Sequence, residues 1–274
     1  MIFIFHTLFF VLVAVLLVER FFNCSKLRPW DWVARYYDII DKRFAGKSSM
    51  LIVLIMLLPI AIVIALLEMN LRLWLYGLLG ILFEFVILLY CLGPSSAWQD
   101  VEHLKLGATE HDPLPFSLLN VESNTLSSGI WLMFERRVLS PIFWFVVLGA
   151  GGVFFYRMTE VIARILSKKS ESAPFAARAK TLLYGLDWLP IRINGLLFAL
   201  GGHFALVIAE WKKSVRSLSV DNETMLAKCG NAGLGIAEGS VPMESTAFVK
   251  EAANLIERTI IIFMVILAVL VLVV

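Results

Sequence analysis

The sequence predicts an all-α integral membrane protein with four full transmembrane helices and two re-entrant or partly immersed helices. Hydrophobic residues make up 59% of the 274 positions and charged residues only 17%, whereas a soluble domain is nearer half hydrophobic and a quarter charged. The hydrophobic residues gather in runs close to the ~20 residues that an α-helix needs to cross a bilayer. A net charge of +2, with no motif typical of nucleic-acid recognition, excludes a nucleic acid as partner.

Four apolar runs predict the full spans. The first has neither a basic segment before it nor a small-residue cleavage site, so we interpret it as an uncleaved anchor. The second and third are separated only by Glu68-Met69-Asn70, which predicts a helical hairpin with its turn at these residues. In chain order, the four predicted spans are Met1–Val18, Met50–Leu67, Leu71–Leu92 and Thr259–Val274.

Two further apolar stretches are interrupted by residues that break helices or carry charge. The stretch Val138–Tyr156 contains Pro141 and four small residues at 149–152, and the stretch Ile191–Ala209 contains an arginine and two adjacent glycines. Irregular backbone at membrane depth persists only where protein surrounds it, which favours two re-entrant or partly immersed helices. Six full spans is the alternative topology.

The basic residues set the expected orientation, because short loops rich in Lys and Arg stay in the cytoplasm. Seven such residues lie between positions 19 and 49, which predicts that this segment is cytoplasmic and that the N-terminus is periplasmic. A full crossing by Val138–Tyr156 would place the six basic residues between positions 157 and 180 in the periplasm, against the rule. We therefore expect a single integral membrane domain over residues 1–274. Its predicted cytoplasmic helical segments are 19–49, 93–137, 157–190 and 210–258.

Apolar residues recur with helical spacing from Trp32 to Phe44, and charged residues occupy the positions between them. This pattern, together with Trp30 and the basic residues nearby, predicts an amphipathic helix lying on the membrane surface. A second stripe, from Met158 to Leu166, predicts another helix of the same kind.

Glu84 is the most unusual residue of the predicted spans, since it places a carboxylate about thirteen residues into the third run. An isolated charge at that depth costs ~2.5 kcal/mol or more, so we expect this carboxyl group to be protonated or paired. The histidines of other apolar runs, His6 and His203, are the candidate partners. One interpretation is a proton relay, in a small-solute transporter that uses Glu84; the other is a neutral structural acid. The remaining long spans carry almost no polar residues, which argues against a transport pathway.

No cofactor or metal site is predicted. The three cysteines, Cys24, Cys91 and Cys229, lack the paired spacing of zinc ligands, and we interpret them as free thiols. The sequence Gly46-Lys47-Ser48 looks like the end of a phosphate-binding loop, but Asp41 occupies the position of the first glycine, and no buried strand is predicted before it.

An ordered series of motifs runs through the second half of the chain. Pro141-Ile142-Phe143-Trp144 precedes the small residues at 149–152, and the segments Leu186–Arg192 and Asn231–Gly233 follow. The series resembles the membrane superfamily that includes the cobalamin-biosynthesis synthases of CobD/CbiB type and the AmpE regulatory signalling modulators. The segments most similar to the AmpE branch are Val18–Phe22, Gly185–Gly195 and Gly202-His203.

The synthase branch joins an aminopropanol-type amine to a corrinoid carboxylate, and such a ligase needs carboxylates to hold a nucleotide and its metal. Its pattern carries Glu-Asn and Asp-Gly pairs where this chain has Leu132-Met133 and Arg136-Arg137, and it has Asn at the position of Asp187. These differences argue against ligase activity. A divergent amide-forming ligase resembling adenosylcobinamide-phosphate synthase is the alternative. The residues that persist and are expected to preserve the fold are Pro141, Trp144 and Pro190.

Resemblance to AmpE implies a non-catalytic regulatory or sensor protein of the bacterial inner membrane, linked to β-lactamase induction and to cell-wall or envelope signalling. We hypothesise a cytoplasmic pocket in which Arg192 anchors a phosphate or carboxylate, since a guanidinium binds either through paired hydrogen bonds. Its ligand would be a nucleotide or a cell-wall-derived small molecule. In the competing interpretation Arg192 contacts lipid phosphate or Asp187. Beside the lipid bilayer, a membrane or cytoplasmic regulatory protein is a candidate partner. The predicted ligand-binding residues are Arg192, Asp187, Asn231 and Gly233.

Overall fold

The structure is a computed structural model that describes residues 2–21, 30, 32–44, 49–73, 77–92, 125–167, 173–216, 221–236 and 246–273. Every regular element in these ranges is a helix, so the all-α prediction is confirmed for the described part of the chain. The helices are α1 (Ile2–Phe21), α2 (Trp32–Phe44), α3 (Ser49–Arg72), α4 (Leu78–Cys91), α5 (Leu126–Phe134), α6 (Ser140–Leu166), α7 (Ala173–Gly201), α8 (Phe204–Arg216), α9 (Asn222–Gly233) and α10 (Thr246–Val273), with a π turn at Glu135–Leu139 between α5 and α6.

Three helices of the described part are long and apolar enough to cross a bilayer. They are Leu51–Arg72 in α3, the helical segment Ser127–Leu166, which is kinked at Gly149, and Ala247–Val273 in α10. In α1 and α4, the apolar stretches are shorter than these three, at His6–Glu19 and Leu78–Cys91. The chain is therefore a helical membrane protein, and the four-plus-two topology with a periplasmic N-terminus stays a prediction.

The predicted hairpin turn at Glu68-Met69-Asn70 is wrong. Helix α3 continues through these residues, because Arg72 Nη2 lies 2.7 Å from Glu68 Oε1, an ion pair one turn apart that supports the helix. Helix α3 ends at Arg72 instead, and the residue directly before α4 is Gly77, whose φ of 86° favours glycine. Helix α4 has only 14 residues and rises ~21 Å, less than the ~30 Å hydrocarbon core. Leu71–Leu92 is thus not the single helix that the predicted full span requires.

The two interrupted stretches are broken in different ways. Val138–Tyr156 lies in the helical segment formed by the π turn and α6, and this segment is kinked at Gly149, where φ is 68° and ψ is −155°. Pro141 follows the π turn; a proline removes one helical hydrogen bond and crowds the preceding turn, which explains the irregular helix before it. Ile191–Ala209 is not one helix, because α7 ends at Gly201 and α8 begins at Phe204. A crossing of the bilayer by either stretch stays untested.

The described residues fall into two compact units, 1–96 with 140–186 and 97–139 with 187–274. In the first unit α3, α4 and α6 pack on one another, and α1 packs on α4 and α6. The amphipathic helix predicted over Trp32–Phe44 is confirmed as α2, which packs on α3 and α6 with Val33 and Tyr37 buried. In the second unit α9 packs against α5 and α8. The expectation of a single integral membrane domain stays a prediction.

Candidate functional site

Charged and amide side chains are buried around the π turn of the second unit. Glu135 and Asn194 are fully buried, and Asp187 and Arg137 are nearly so. Charged side chains are almost never buried unless they are paired, and π turns are rare and often occur at functional sites. These observations define the candidate site, the π-turn cluster of Glu135, Arg136, Arg137, Asp187 and Asn194.

The centre of the π-turn cluster is a hydrogen bond between α7 and the π turn. Asn194 Nδ2 donates to Glu135 Oε2 at 2.6 Å. A hydrogen bond to a charged group contributes ~1.5–3 kcal/mol net. Asn194 Oδ1 is also buried, and it has no hydrogen-bond donor among the described residues. The amide therefore presents one unsatisfied acceptor inside the cluster.

Arg136 and Asp187 form the second link between the π turn and α7. Arg136 Nε lies 3.1 Å from Asp187 Oδ2; the aspartate side chain is 1% exposed and the arginine side chain 27%. Such a pair is costly to break, because the remaining charge then lies buried without its partner. The pair fixes the π turn to α7 at a second point.

Arg192, the predicted ligand anchor, lies on α7 in contact with Trp188. Its guanidinium carbon is 3.9 Å from the centroid of the Trp188 ring, and Nη1 donates to the Trp188 carbonyl at 2.7 Å and to Asn222 Oδ1 at 3.4 Å. Stacking on the electron-rich face of an indole ring stabilises a cation. Asp187, five residues earlier, projects ~140° away around the helix and pairs with Arg136.

Asn231 and Gly233, the other two predicted pocket residues, hold α9 in place. Asn231 Oδ1 accepts hydrogen bonds from Ser127 Oγ at 2.7 Å and from Trp131 Nε1 at 3.0 Å. The Gly233 carbonyl accepts the backbone N–H of His203 at 3.1 Å, and His203 Nδ1 lies 3.2 Å from the same oxygen. His203 is exposed at the break between α7 and α8. The four predicted pocket residues thus lie in one unit, each with partners of its own, and their binding of a ligand stays a prediction.

Trp144 and Pro190, which were expected to preserve the fold, are linked through one backbone carbonyl. Pro190 lies inside α7 and has no N–H to donate to the carbonyl of Leu186, four residues before it. Trp144 Nε1 donates to that carbonyl at 3.3 Å. The indole replaces the helical hydrogen bond that the proline removes.

Glu84 is buried in α4, with 1% of its surface exposed. Its partner is Arg72 at the end of α3, whose Nη2 lies 2.6 Å from Glu84 Oε1, rather than either histidine suggested by the sequence. That expectation was wrong because it placed Arg72 in the same straight span as Glu84, twelve residues away. The helix break at Gly77 instead brings the guanidinium beside the carboxylate.

The sequence does not single out Glu135, Asn194 or the pairing of Arg136. Residues 93–137 were assigned to the cytoplasm, where a charged side chain needs no partner, although the three charges at 135–137 interrupt an otherwise apolar stretch. Glu135 resembles Glu84 in being an acid that follows a run of apolar residues, and this feature of the sequence indicates a buried carboxylate at both positions.

Cys91 and Cys229 lie in the described part of the chain, and both are buried thiols that form no disulfide, as predicted. Cys24 and Gly46-Lys47-Ser48 lie outside the described residues. Burial raises the pKa of the Cys229 thiol to about 12, and the Glu210 carboxylate adds to the effect. The Cys229 thiol is therefore protonated at neutral pH and is a poor nucleophile.

The family of this chain follows from its similarity to known proteins. The profile of the family described as "Regulatory signalling modulator protein AmpE" matches residues 119–274, more than half of the chain. The chain is 25% identical to Protein AmpE of Shigella flexneri over 145 residues, which cover 52% of this chain and 50% of that protein. It is 29% identical to the Cobalamin biosynthesis protein CobD of Chromobacterium violaceum over 103 residues, which cover 37% of this chain and 33% of that protein. The chain thus spans half or less of the length of these curated relatives, and no solved structure matches it. It belongs to the AmpE family of regulatory signalling modulator proteins.

Proposed function

We propose that this chain is a non-catalytic regulatory protein of the bacterial inner membrane that takes part in β-lactamase induction and in signalling the state of the cell wall or envelope. The Arg136–Asp187 ion pair is the observation that carries the proposal. It occupies two positions at which resemblance to the ligase branch implies an acid and an amide.

At these two positions the charges of this chain are opposite and complementary. Resemblance to the ligase branch implies Asp at the position where this chain has Arg136 and Asn at the position where it has Asp187. A ligase would use the first carboxylate to hold a metal-bound nucleotide, whereas a guanidinium there repels a metal ion. The carboxylate of Asp187 is buried and bound to that guanidinium at 3.1 Å. This arrangement supports a structural link in a regulatory protein over a ligase centre.

The π-turn cluster is the element through which a signal would change the conformation. A π turn is an irregular segment within an α-helix, and its conversion to regular helix would rotate Glu135 and Arg136 away from their partners on α7. Asn194 Oδ1, a buried acceptor without a donor, offers a position for an N–H or O–H group of a small ligand. A nucleotide or a cell-wall-derived molecule carries such groups.

Arg192 is the proposed anchor for an anionic group of that ligand. The guanidinium is held against the Trp188 ring at 3.9 Å, and a cation already fixed in position loses little further freedom when it binds an anion. A regulatory protein in the membrane or the cytoplasm would receive the signal.

A strain with an inducible chromosomal β-lactamase that lacks this gene tests the proposal. β-Lactamase activity is measured after an inducing β-lactam is added, with the gene absent or supplied as wild type, Asn194→Ala or Lys212→Ala. We expect the strain without the gene to show an altered induction ratio. Wild type and Lys212→Ala, a change at an exposed residue, should restore the ratio, and Asn194→Ala should fail although immunoblots find it in the membrane. An unchanged ratio in the strain without the gene would contradict the proposal.

Similarity to CobD favours a divergent amide-forming ligase as the second candidate function. The 29% identity over 103 residues supports a scaffold shared with a cobalamin-biosynthesis protein. Purified full-length protein is incubated with a corrinoid carboxylate, an aminopropanol-type amine and a nucleoside triphosphate, and products are separated by mass. An amide product that forms only when the nucleoside triphosphate is present would replace the non-catalytic proposal; unreacted corrinoid would support it.

A further inference from the structure

The first unit contains two carboxylates bound to a single guanidinium. Arg72 Nη2 lies 2.7 Å from Glu68 Oε1 and 2.6 Å from Glu84 Oε1. Because Glu68 and Arg72 end α3 and Glu84 belongs to α4, the three side chains close the α3–α4 hairpin. The Glu84 side chain is 1% exposed and that of Glu68 10% exposed, so neither carboxylate is well solvated.

The second oxygen of Glu68 reaches the kink of α6. The backbone N–H of Ala150 donates to Glu68 Oε2 at 3.0 Å, and Ala150 directly follows Gly149, where the helix is broken. A Cβ atom added to Gly149 would lie 2.9 Å from both oxygens of Glu68. The carboxylate therefore fills the space that a side chain would need and joins α3 to α6 at the kink.

The charges of this site do not balance when all three groups are ionised. The formal charges of two carboxylates and one guanidinium add up to −1, and the two carboxylates have little contact with solvent. An uncompensated buried charge costs several kcal/mol, so the site requires one further positive charge.

The side chains that the structure describes on the neighbouring helices form no further ion pair with Glu68 or Glu84. Arg72 is the cation paired with Glu84 in the described part of the chain. The charged side chains of α6 beyond the kink pair with one another, through Glu160 between its two arginine partners. The other ionisable groups in the sequences of α1 and α6, both packed on α4, are His6, Glu19, Arg20, Tyr156, Arg157, Glu160 and Arg164.

One oxygen of the site has no donor. Glu84 Oε2 is buried and has no hydrogen-bond partner among the described residues, and the Glu68 carboxylate binds the same guanidinium nitrogen as that of Glu84. Two carboxylates offer only acceptors, so a hydrogen bond between them requires a proton on one of them. A proton on Glu84 Oε2 supplies both the missing donor and the missing charge.

We propose that Glu68 and Glu84 form a proton-binding pair that holds one proton at neutral pH and closes the junction of α3, α4 and α6 at the Gly149 kink. With the proton bound, the site is neutral and each carboxyl group keeps its contact with Arg72. When the proton passes to water, two anionic carboxylates share one guanidinium, and their repulsion opposes the packing of α4 on α3. The pair thus makes this junction sensitive to the local proton concentration, independently of any role in β-lactamase induction.

Infrared spectroscopy of the full chain in lipid vesicles tests the pair, because a protonated carboxyl group absorbs apart from a carboxylate and shifts in D2O. Spectra are recorded at neutral pH in sodium-free buffer for wild type, Glu84→Gln, Glu68→Gln and Glu160→Gln. Either change within the pair leaves one carboxylate facing one guanidinium, so we expect each to lose one protonated-carboxyl equivalent. Glu160→Gln is the control, since its carboxylate lies between two arginines, and it should lose one carboxylate equivalent only.

Circular dichroism first establishes that each variant keeps the wild-type helix content, and the two changes within the pair serve as independent tests if one of them does not fold. The proposal is overturned if a folded Glu84→Gln or Glu68→Gln protein loses one carboxylate equivalent and keeps the protonated-carboxyl band unchanged. A wild-type spectrum without a protonated carboxyl band would overturn it as well.

Discussion

The indole nitrogen of Trp144 donates a hydrogen bond to the backbone carbonyl of Leu186 over 3.3 Å. Pro190, four residues further along α7, has no N–H for that carbonyl, which would otherwise lie without its helical partner. The tryptophan and the proline depend on each other through this group. Their joint presence in the motif series therefore has a physical reason.

Replacing Trp144 by Phe should lower the free energy of unfolding by ~0.5–1.5 kcal/mol, the net value of one hydrogen bond, beyond the loss of contact area. In a Pro190→Ala background, the backbone N–H at position 190 can bond to the Leu186 carbonyl, so Trp144→Phe should cost less there. Denaturant unfolding of the four proteins in detergent gives the coupling energy. The same cost of Trp144→Phe in both backgrounds would argue against this link.

Gly149→Ala should destabilise the protein by ~1–3 kcal/mol, because a residue with a Cβ atom is strained in the left-handed region and the new atom would lie 2.9 Å from the oxygens of Glu68. Gly185→Ala is the matched control: it lies inside α7, and nothing is found within 4 Å of an added Cβ. This second change should be neutral or stabilise the protein by ~0.5–1 kcal/mol. Unfolding midpoints measure both, and equal losses would refute the special role of the kink.

The fold class and the long helices could be predicted, because hydropathy is summed over many residues and a single misplaced polar group changes it little. The hairpin turn could not be placed in the same way. Glu68, Met69 and Asn70 look like a polar loop in one dimension, but the ion pair of Glu68 with Arg72 keeps them helical. This contact between two side chains, which hydropathy does not register, supports the helix through these residues.

The candidate site could be predicted only in part for a related reason. The motif series pointed to α7 and α9, and so to Asp187 and Asn231. The partners of these residues come from α5 and the π turn: Arg136 is 51 positions before Asp187, and Trp131 is 100 positions before Asn231. No rule of helical spacing reaches over such separations, so these pairs required the folded arrangement.

Asn194→Ala should lower the free energy of unfolding by ~1.5–3 kcal/mol, since it removes a donor from the buried carboxylate of Glu135. Asn254→Ala, at a half-buried position of α10, serves as the control and should cost less. In the Asn194→Ala background, Glu135→Gln should recover part of the loss, because a neutral amide is cheaper to bury than a carboxylate. Unfolding curves of these variants decide the point; an effect of Asn194→Ala no larger than that of Asn254→Ala would contradict it.

Cys229 should make stability fall at alkaline pH. Burial raises the pKa of its thiol to about 12, above the ~8.5 of an exposed thiol, so the folded state keeps a proton that the unfolded state releases. The stabilising contribution is fully present below pH ~8.5 and is lost as the pH rises towards 12. In Cys229→Ala, the unfolding free energy measured between about pH 9 and 11 should decline less steeply than in wild type. Parallel profiles for the two proteins would show that the thiol does not contribute.

The most direct test of the regulatory proposal exchanges the charges of Arg136 and Asp187. β-Lactamase induction is measured in the strain without the gene, complemented with Arg136→Asp, Asp187→Arg or the double variant, at matched amounts of membrane protein. Each single variant places like charges together, so we expect it to fail, whereas the double variant re-forms an ion pair and should restore the wild-type induction ratio. The central claim is that the Arg136–Asp187 ion pair supports signalling. It would be contradicted if the single variants restored the induction ratio as fully as the unmodified chain does.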